Sequence, residues 1–280
     1  AQTPTREAEF TETLQRRNVN LRATPEIYTS RFEYQNAKVV LRSVVNEVSL
    51  EKVANSILPD LNEINTPWLK IIETADDLRT AVMQMRRKPF GSDLKALPED
   101  ARLSDYEDAL DRHYFKSALK SLNANNPATR YLKDYLALEI DHRNIMNILE
   151  ADSIGISSDD IVKMLLPGGK ILPTRAFSSI AAGGRNALMD VLRTSSKFDM
   201  GHFEGLLEQV AKSRSLDSVV TWFKEREHKF MKKMSYLHPI SALPIVYYVA
   251  MKVQEVADLR IIVRGRFAGL PPEVLEAHIL

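Results

Sequence analysis

A helical segment carrying a fixed polar step recurs three times along this chain, and that recurrence limits the folds open to it. A slide of 108 residues lays FEYQNAKVVLR (Phe32–Arg42) on IDHRNIMNILE (Ile140–Glu150), and a further 114 lays it on QEVADLRIIVR (Gln254–Arg264). One column is acidic throughout: Glu33, Asp141 and Glu255. Three positions on stand Asn36, Asn144 and Asp258, and two aliphatic columns follow, Val40/Ile148/Ile262 and Leu41/Leu149/Val263. Residues three apart are neighbours on a helix, so each copy sets a polar pair beside an apolar stripe, which suggests one packing task performed three times. Gly155 and Gly269 align as well, each ending a long helix where a glycine stop belongs. A short amphipathic helix comes next in every copy: SLEKVANSIL, ISSDDIVKMLL and LPPEVLEAHIL, with Val53, Ile161 and Leu275 in register, then Leu58, Leu166 and Leu280. Pro271 and Pro272 suit the first turn of the third, where no amide donor is lost.

Helical periodicity carries the remainder. Ile245, Val249, Val253, Val256, Leu259 and Val263 fall at steps of three and four, as do Tyr131, Tyr135, Leu138, His142, Ile145 and Leu149. A weaker stripe runs through Ile27, Tyr34, Ala37, Leu41 and Val44, and sustained strand alternation is absent. Gly is 10 and Pro 13 of 280 residues, a turn-poor composition that favours helix. LRTAVMQMRRKPFG (Leu78–Gly91) resembles LMDVLRTSSKFDMG (Leu188–Gly201), and each precedes a charged helix, around Tyr106–Leu122 and Val219–Tyr236. The expected fold is therefore all-α, with units at 1–60, 61–168 and 169–280, the first either shortened or lacking its opening half. Three such units could form an open array or a closed threefold ring.

Several function classes fall away. Lys plus Arg is 38 and Asp plus Glu 37, a net charge of +1, which argues against a general nucleic-acid binder. Without cysteine, disulfides and thiol chemistry are excluded, and a reducing compartment fits. The longest apolar run, Ala242–Met251, is ten residues interrupted by Pro244, far short of the roughly 20 a spanning helix needs. AQTPTREAEF lacks the apolar core of a signal peptide. LPGGK (Leu166–Lys170) fails as a phosphate loop, because Met164 and Ile171 stand where Gly and Ser/Thr are required; its glycines release one helix into the next unit. Glu139 with His142, and Glu225 with His228, make two Glu-x-x-His steps, part of a di-iron signature. Yet His142 aligns with Tyr34 and Val256 and lies on an apolar stripe, as a core histidine would, while His228 sits in the solvated run KEREHK. His113, His202, His238 and His278 are scattered without a motif. Catalytic, cofactor and metal residues are accordingly none.

The ending EVADLRIIVRGRFAGLPPEVLEAHIL resembles the C-terminus of a family of central-stalk subunits, the C subunits of archaeal and bacterial V/A-type rotary ATPases and their vacuolar d-type relatives. YQNAKVVLR, and LEIDHRNIMNILEA followed by LLPGGKI, resemble that family's other repeats. The likeness covers about Ile27–Leu280 and implies a closed, funnel-shaped, pseudo-threefold protein of the central stalk, between rotor shaft and membrane ring, with no catalytic site of its own. It implies partners among shaft and ring subunits, and a peripheral place on the cytoplasmic face of the membrane. The family's first unit is usually longer than the one here. Arg260, Arg264 and Arg266 form the candidate partner interface, Arg260 and Arg264 sharing a face at i and i+4. Glu33, Asn36, Asp141, Asn144, Glu255 and Asp258 are the repeated structural polar positions. Arg86–Lys88 and Lys224–Lys233 form further basic patches, read either as solvated faces or as contacts to acidic partners or headgroups. A helical scaffold for another protein, or a helical metalloenzyme, are the alternatives.

Overall fold

A computed structural model describes residues 24–54, 57, 66–122, 126–276 and 279. Helix makes up 77% of them and no strand occurs among them, as the all-α reading requires. By contacts the chain parts into two compact units, one of residues 27–121 and one holding 122–280. The expected boundaries at 60 and 168 follow the register of the repeat, in which the long helix closes a unit. Packing divides the chain differently, because each of the first two long helices lies against the helices that follow it.

In the first unit α1 (Arg31–Val45) is followed by α2 (Leu50–Ala54), α3 (Thr66–Thr74), α4 (Leu78–Gln84), α5 (Gly91–Lys95) and α6 (Leu103–Ser121). Helix α1 packs on α3, α4 and α6. Its apolar face buries Ala37, Val40 and Leu41 completely, beside Phe90, Leu94 and Leu110, equally shut from solvent. Its other flank zips antiparallel to α6. The Tyr34 hydroxyl shares a hydrogen bond with His113 Nδ1 (2.8 Å), Lys38 meets Asp111 (2.6 Å), and Arg42 grips Glu107 with two bonds (2.5 and 2.8 Å). Asp77 starts α4 by accepting from the Thr80 amide (2.6 Å).

The second unit opens with α7 (Pro127–Ile154), then α8 (Ser158–Met164), α9 (Phe177–Thr194), α10 (Met200–Ser213), α11 (Asp217–Leu237), α12 (Leu243–Phe267) and α13 (Pro272–Glu276). Asn126, Ser157 and Asp199 cap α7, α8 and α10 through their side-chain oxygens. Ile145, Ile148 and Leu149 of α7 face Ile180, Leu188 and Leu192 of α9 and Val219 and Phe223 of α11 in one core. Helix α9 breaks at Gly184 (φ 58°, ψ −141°). The predicted glycine stops hold: Gly155 (φ 69°) and Gly269 (φ 72°) are both left-handed. The charged helices expected around Tyr106–Leu122 and Val219–Tyr236 are α6 and α11.

Candidate functional site

The repeated columns take different work in the three copies. In the second copy Asp141 is fully buried and accepts from the amides of Lys170 (2.7 Å), Ile171 (2.9 Å) and Leu172 (2.9 Å). One turn along, Asn144 is equally buried and bonds Leu166 in both directions, donating to its carbonyl and accepting from its amide, each at 2.8 Å. The polar step thus latches residues 166–172, the stretch containing LPGGK, onto the flank of α7. Gly169 lies so close that a β-carbon there would come 2.1 Å from Asp141 Oδ1. Gly169 thus serves close backbone approach, a role the sequence reading of these glycines as a release into the next unit did not include. In the first copy Asn36 is buried while Glu33 binds Lys88 (2.9 Å), whose ammonium sits over Trp68. In the third copy Glu255 is exposed and bonded to Lys252 (2.6 Å), and Asp258 accepts from Gln254 (2.7 Å).

His142 is a core residue. It is 3% exposed and stacks on Phe223 with ring centroids 4.1 Å apart. Glu227 Oε1 lies 2.6 Å from its Nδ1; a carboxylate only accepts, so the proton sits on Nδ1. Nε2 has no partner. His228 is half-buried, 3.3 Å from the Tyr247 hydroxyl, and burial followed by Lys232 and Lys229 lowers its pKa. Among the described residues no group of three or more His, Asp or Glu could hold a metal ion. His278, Leu58 and Leu280 lie outside the described residues.

The candidate interface occupies α12. Arg260, Arg264 and Arg266 are placed on its last turns; Arg260 and Arg264 are exposed, and neither makes an ion pair with a described residue. The apolar stripe of this helix departs from expectation. Where Val40 and Leu41 are fully buried and Ile148 and Leu149 nearly so, Val256, Leu259 and Val263 stand 47%, 52% and 52% exposed. Only the start of α12, through Leu243 and Val246, and Gly265, under Leu275 of α13, reach full burial. The reason is the neighbourhood: α1 and α7 each pack on several helices, whereas α12 packs on α11 and α13. A groove of about 690 Å³ runs beside α11 and α12, lined among others by His228, Met251, Glu255, Leu259 and Ile262. Exposed Tyr248 and Phe267 extend the apolar surface, and periodicity alone missed them because it scores a stripe without saying what covers it.

Among the described residues no helix is long and apolar enough to cross a membrane. The described residues define the class, an all-helical protein, in which a short helix with a buried aliphatic residue follows α1, α7 and α12 (Val53 3%, Ile161 5%, Leu275 6%). Residues 8–278 match the family described as ATP synthase (C/AC39) subunit, and the chain belongs to it. It is similar to the C subunit of the A-type ATP synthase of Haloferax volcanii, 27% identical over 262 residues covering 90% of this chain and 72% of that one. The C subunit of the A-type ATP synthase of Archaeoglobus fulgidus is 25% identical, with 90% and 70% covered. That of Methanocaldococcus jannaschii is 22% identical, with 91% and 64% covered. The chain is thus a subunit of a V/A-type ATPase complex.

Proposed function

We propose that this subunit joins the rotor shaft of a V/A-type rotary ATPase to its membrane ring, passing torque between ATP turnover and ion transport with no catalytic site of its own. Its partners are then the shaft and ring subunits, and it works at the periphery of the membrane, on the cytoplasmic face. Three related units, 1–60, 61–168 and 169–280 in sequence register, would form a closed pseudo-threefold funnel whose unlike lobes offer a roughly round socket.

One observation carries this reading beyond family membership: α12 presents to solvent an apolar face and arginines, Arg260 and Arg264, that make no ion pair among the described residues. A surface with exposed aliphatic residues at helical spacing beside fixed positive charge is what a partner-binding helix leaves open before assembly. The test is reconstitution. Complexes stripped of this subunit should still hydrolyse ATP in the catalytic head, yet fail to pump ions until it is added back. Hydrolysis lost with the subunit, or pumping retained without it, would overturn the coupling role.

A further inference from the structure

Away from α12, a cleft of about 440 Å³ opens between α7, α11, the loop after α8 and the α9–α10 loop, all within the second unit. Its floor and wall are apolar, from Leu138, Ile171 and Phe230, and four cations border it: Lys170, Lys197, Arg226 and Lys229. Two acids share the rim, and both are committed. Asp134 is paired with Lys170, and Asp141 is filled by three backbone amides. Lys229 reaches Glu225, its neighbour one turn back, at 2.8 Å.

Arg226 and Lys197 are different. The Arg226 guanidinium is half-buried, 4.8 Å from the Trp222 ring centre and 5.6 Å from that of Phe198. Of its five N–H donors one is used, by Nη2 on the Lys197 carbonyl at 3.3 Å. Burial lowers its pKa, and the charge of Asp199 opposes this. The Lys197 ammonium is exposed and has no carboxylate partner among the described residues. A desolvated arginine held on aromatic faces with most donors free is costly unless an anion completes it.

We propose that this cleft binds a phosphate group, with Arg226 and Lys197 holding its oxygens and the Leu138–Phe230 wall receiving the body of a phosphate ester. The volume is that of a small-ligand site. Two cations without carboxylates match a dianion, and the planar fork of arginine suits two phosphate oxygens at once. The same chemistry is offered by a soluble phosphate ester and by an anionic lipid headgroup. The proposal stands apart from the coupling role, since neither Arg226 nor Lys197 lines the groove beside α12.

Trp222 under Arg226 supplies the readout. The full-length protein is titrated at constant ionic strength with inorganic phosphate and with ADP in one arm, and with phosphatidylcholine vesicles containing or lacking phosphatidic acid in the other. Saturable change in tryptophan fluorescence, with chloride giving none, is the expected result in one arm. Saturation by phosphate or ADP identifies a soluble ester as the source; saturation by phosphatidic acid vesicles alone identifies a headgroup. Lys197→Ala, an exposed position that leaves the fold intact, should weaken binding about tenfold, as loss of one charge-assisted bond does. Arg226→Gln should weaken it further, with unchanged circular dichroism as the control. Equal responses to phosphate and chloride with no lipid effect, or wild-type affinity in Lys197→Ala, would overturn the site.

Discussion

Asp141 shows how much one side chain can organise. Its carboxylate closes three backbone amides that no helix or strand would otherwise satisfy, and Gly169 is the residue that lets the loop come near enough. Gly169→Ala forces a β-carbon into a carboxylate that cannot retreat without losing those bonds. It should destabilise the fold by about 1–3 kcal/mol, as overpacking does, read as a lower urea midpoint with circular dichroism of the folded state unchanged; an unshifted midpoint would mean the loop swings away freely. Asp108 of α6 makes a prediction in pH. Burial first, and Asp111 second, push its carboxyl up from 3.8 to about 6. Well below pH 3.8 it is protonated folded or unfolded and costs nothing. As pH rises through about 6 the folded state must ionise a half-buried acid, and the stability that the protonated form provided is lost. Asp108→Asn should therefore match the parent at about pH 3 and exceed it at pH 7, on the order of 1 kcal/mol after allowing for partial exposure. A gap independent of pH between about 3 and 8 would remove ionisation as the cause.

At the scale of the element, two helix ends test whether the repeat is written in backbone conformation. Gly155 and Gly269 both sit at positive φ with nothing near enough to touch an added β-carbon. Alanine at either should cost about 1 kcal/mol through conformation alone, and asparagine less, since its side chain tolerates this region. Urea titration of the four variants gives the comparison, and equal costs for alanine and asparagine would point to something other than φ. These ends were legible in sequence, along with α6, α7 and α11, because glycine stops, side-chain caps and apolar steps are local signals. The buried column Val53/Ile161/Leu275 was legible too, as an alignment. What Asp141 and Asn144 do was not, since backbone amides carry no residue identity and the sequence shows the acceptor without its donors. His142 was readable as a core residue from its stripe, but Glu227 is 85 residues away and only the pairing of α7 with α11 brings it there. Arg226 looked like one more charge in a solvated run; its aromatic seat on Trp222 and Phe198 depends on how α11 is turned.

At the scale of the whole molecule, near-zero net charge hides an uneven surface, and α12 is where that matters for assembly. Leu259 and Arg264 stand on it exposed, one apolar and one cationic, with no described residue closing over either. If a partner closes over this face, the two positions should fail in different ways. Leu259→Ser removes apolar area from the contact, so rebinding to stripped complexes should weaken about equally at low and high salt. Arg264→Glu replaces an attraction by a repulsion, so its defect should be largest at low salt and shrink as the Debye length falls toward about 8 Å at physiological ionic strength. Neither should move the thermal midpoint of the free protein beyond the equivalent of about 0.5 kcal/mol, because both side chains already face water. Ion pumping by the reconstituted complex should track rebinding, while ATP hydrolysis by the head should not. A free protein that unfolds on either change would make the residue structural. Full rebinding by both variants would show that α12 faces solvent in the assembled complex, and that the shaft and ring are held elsewhere.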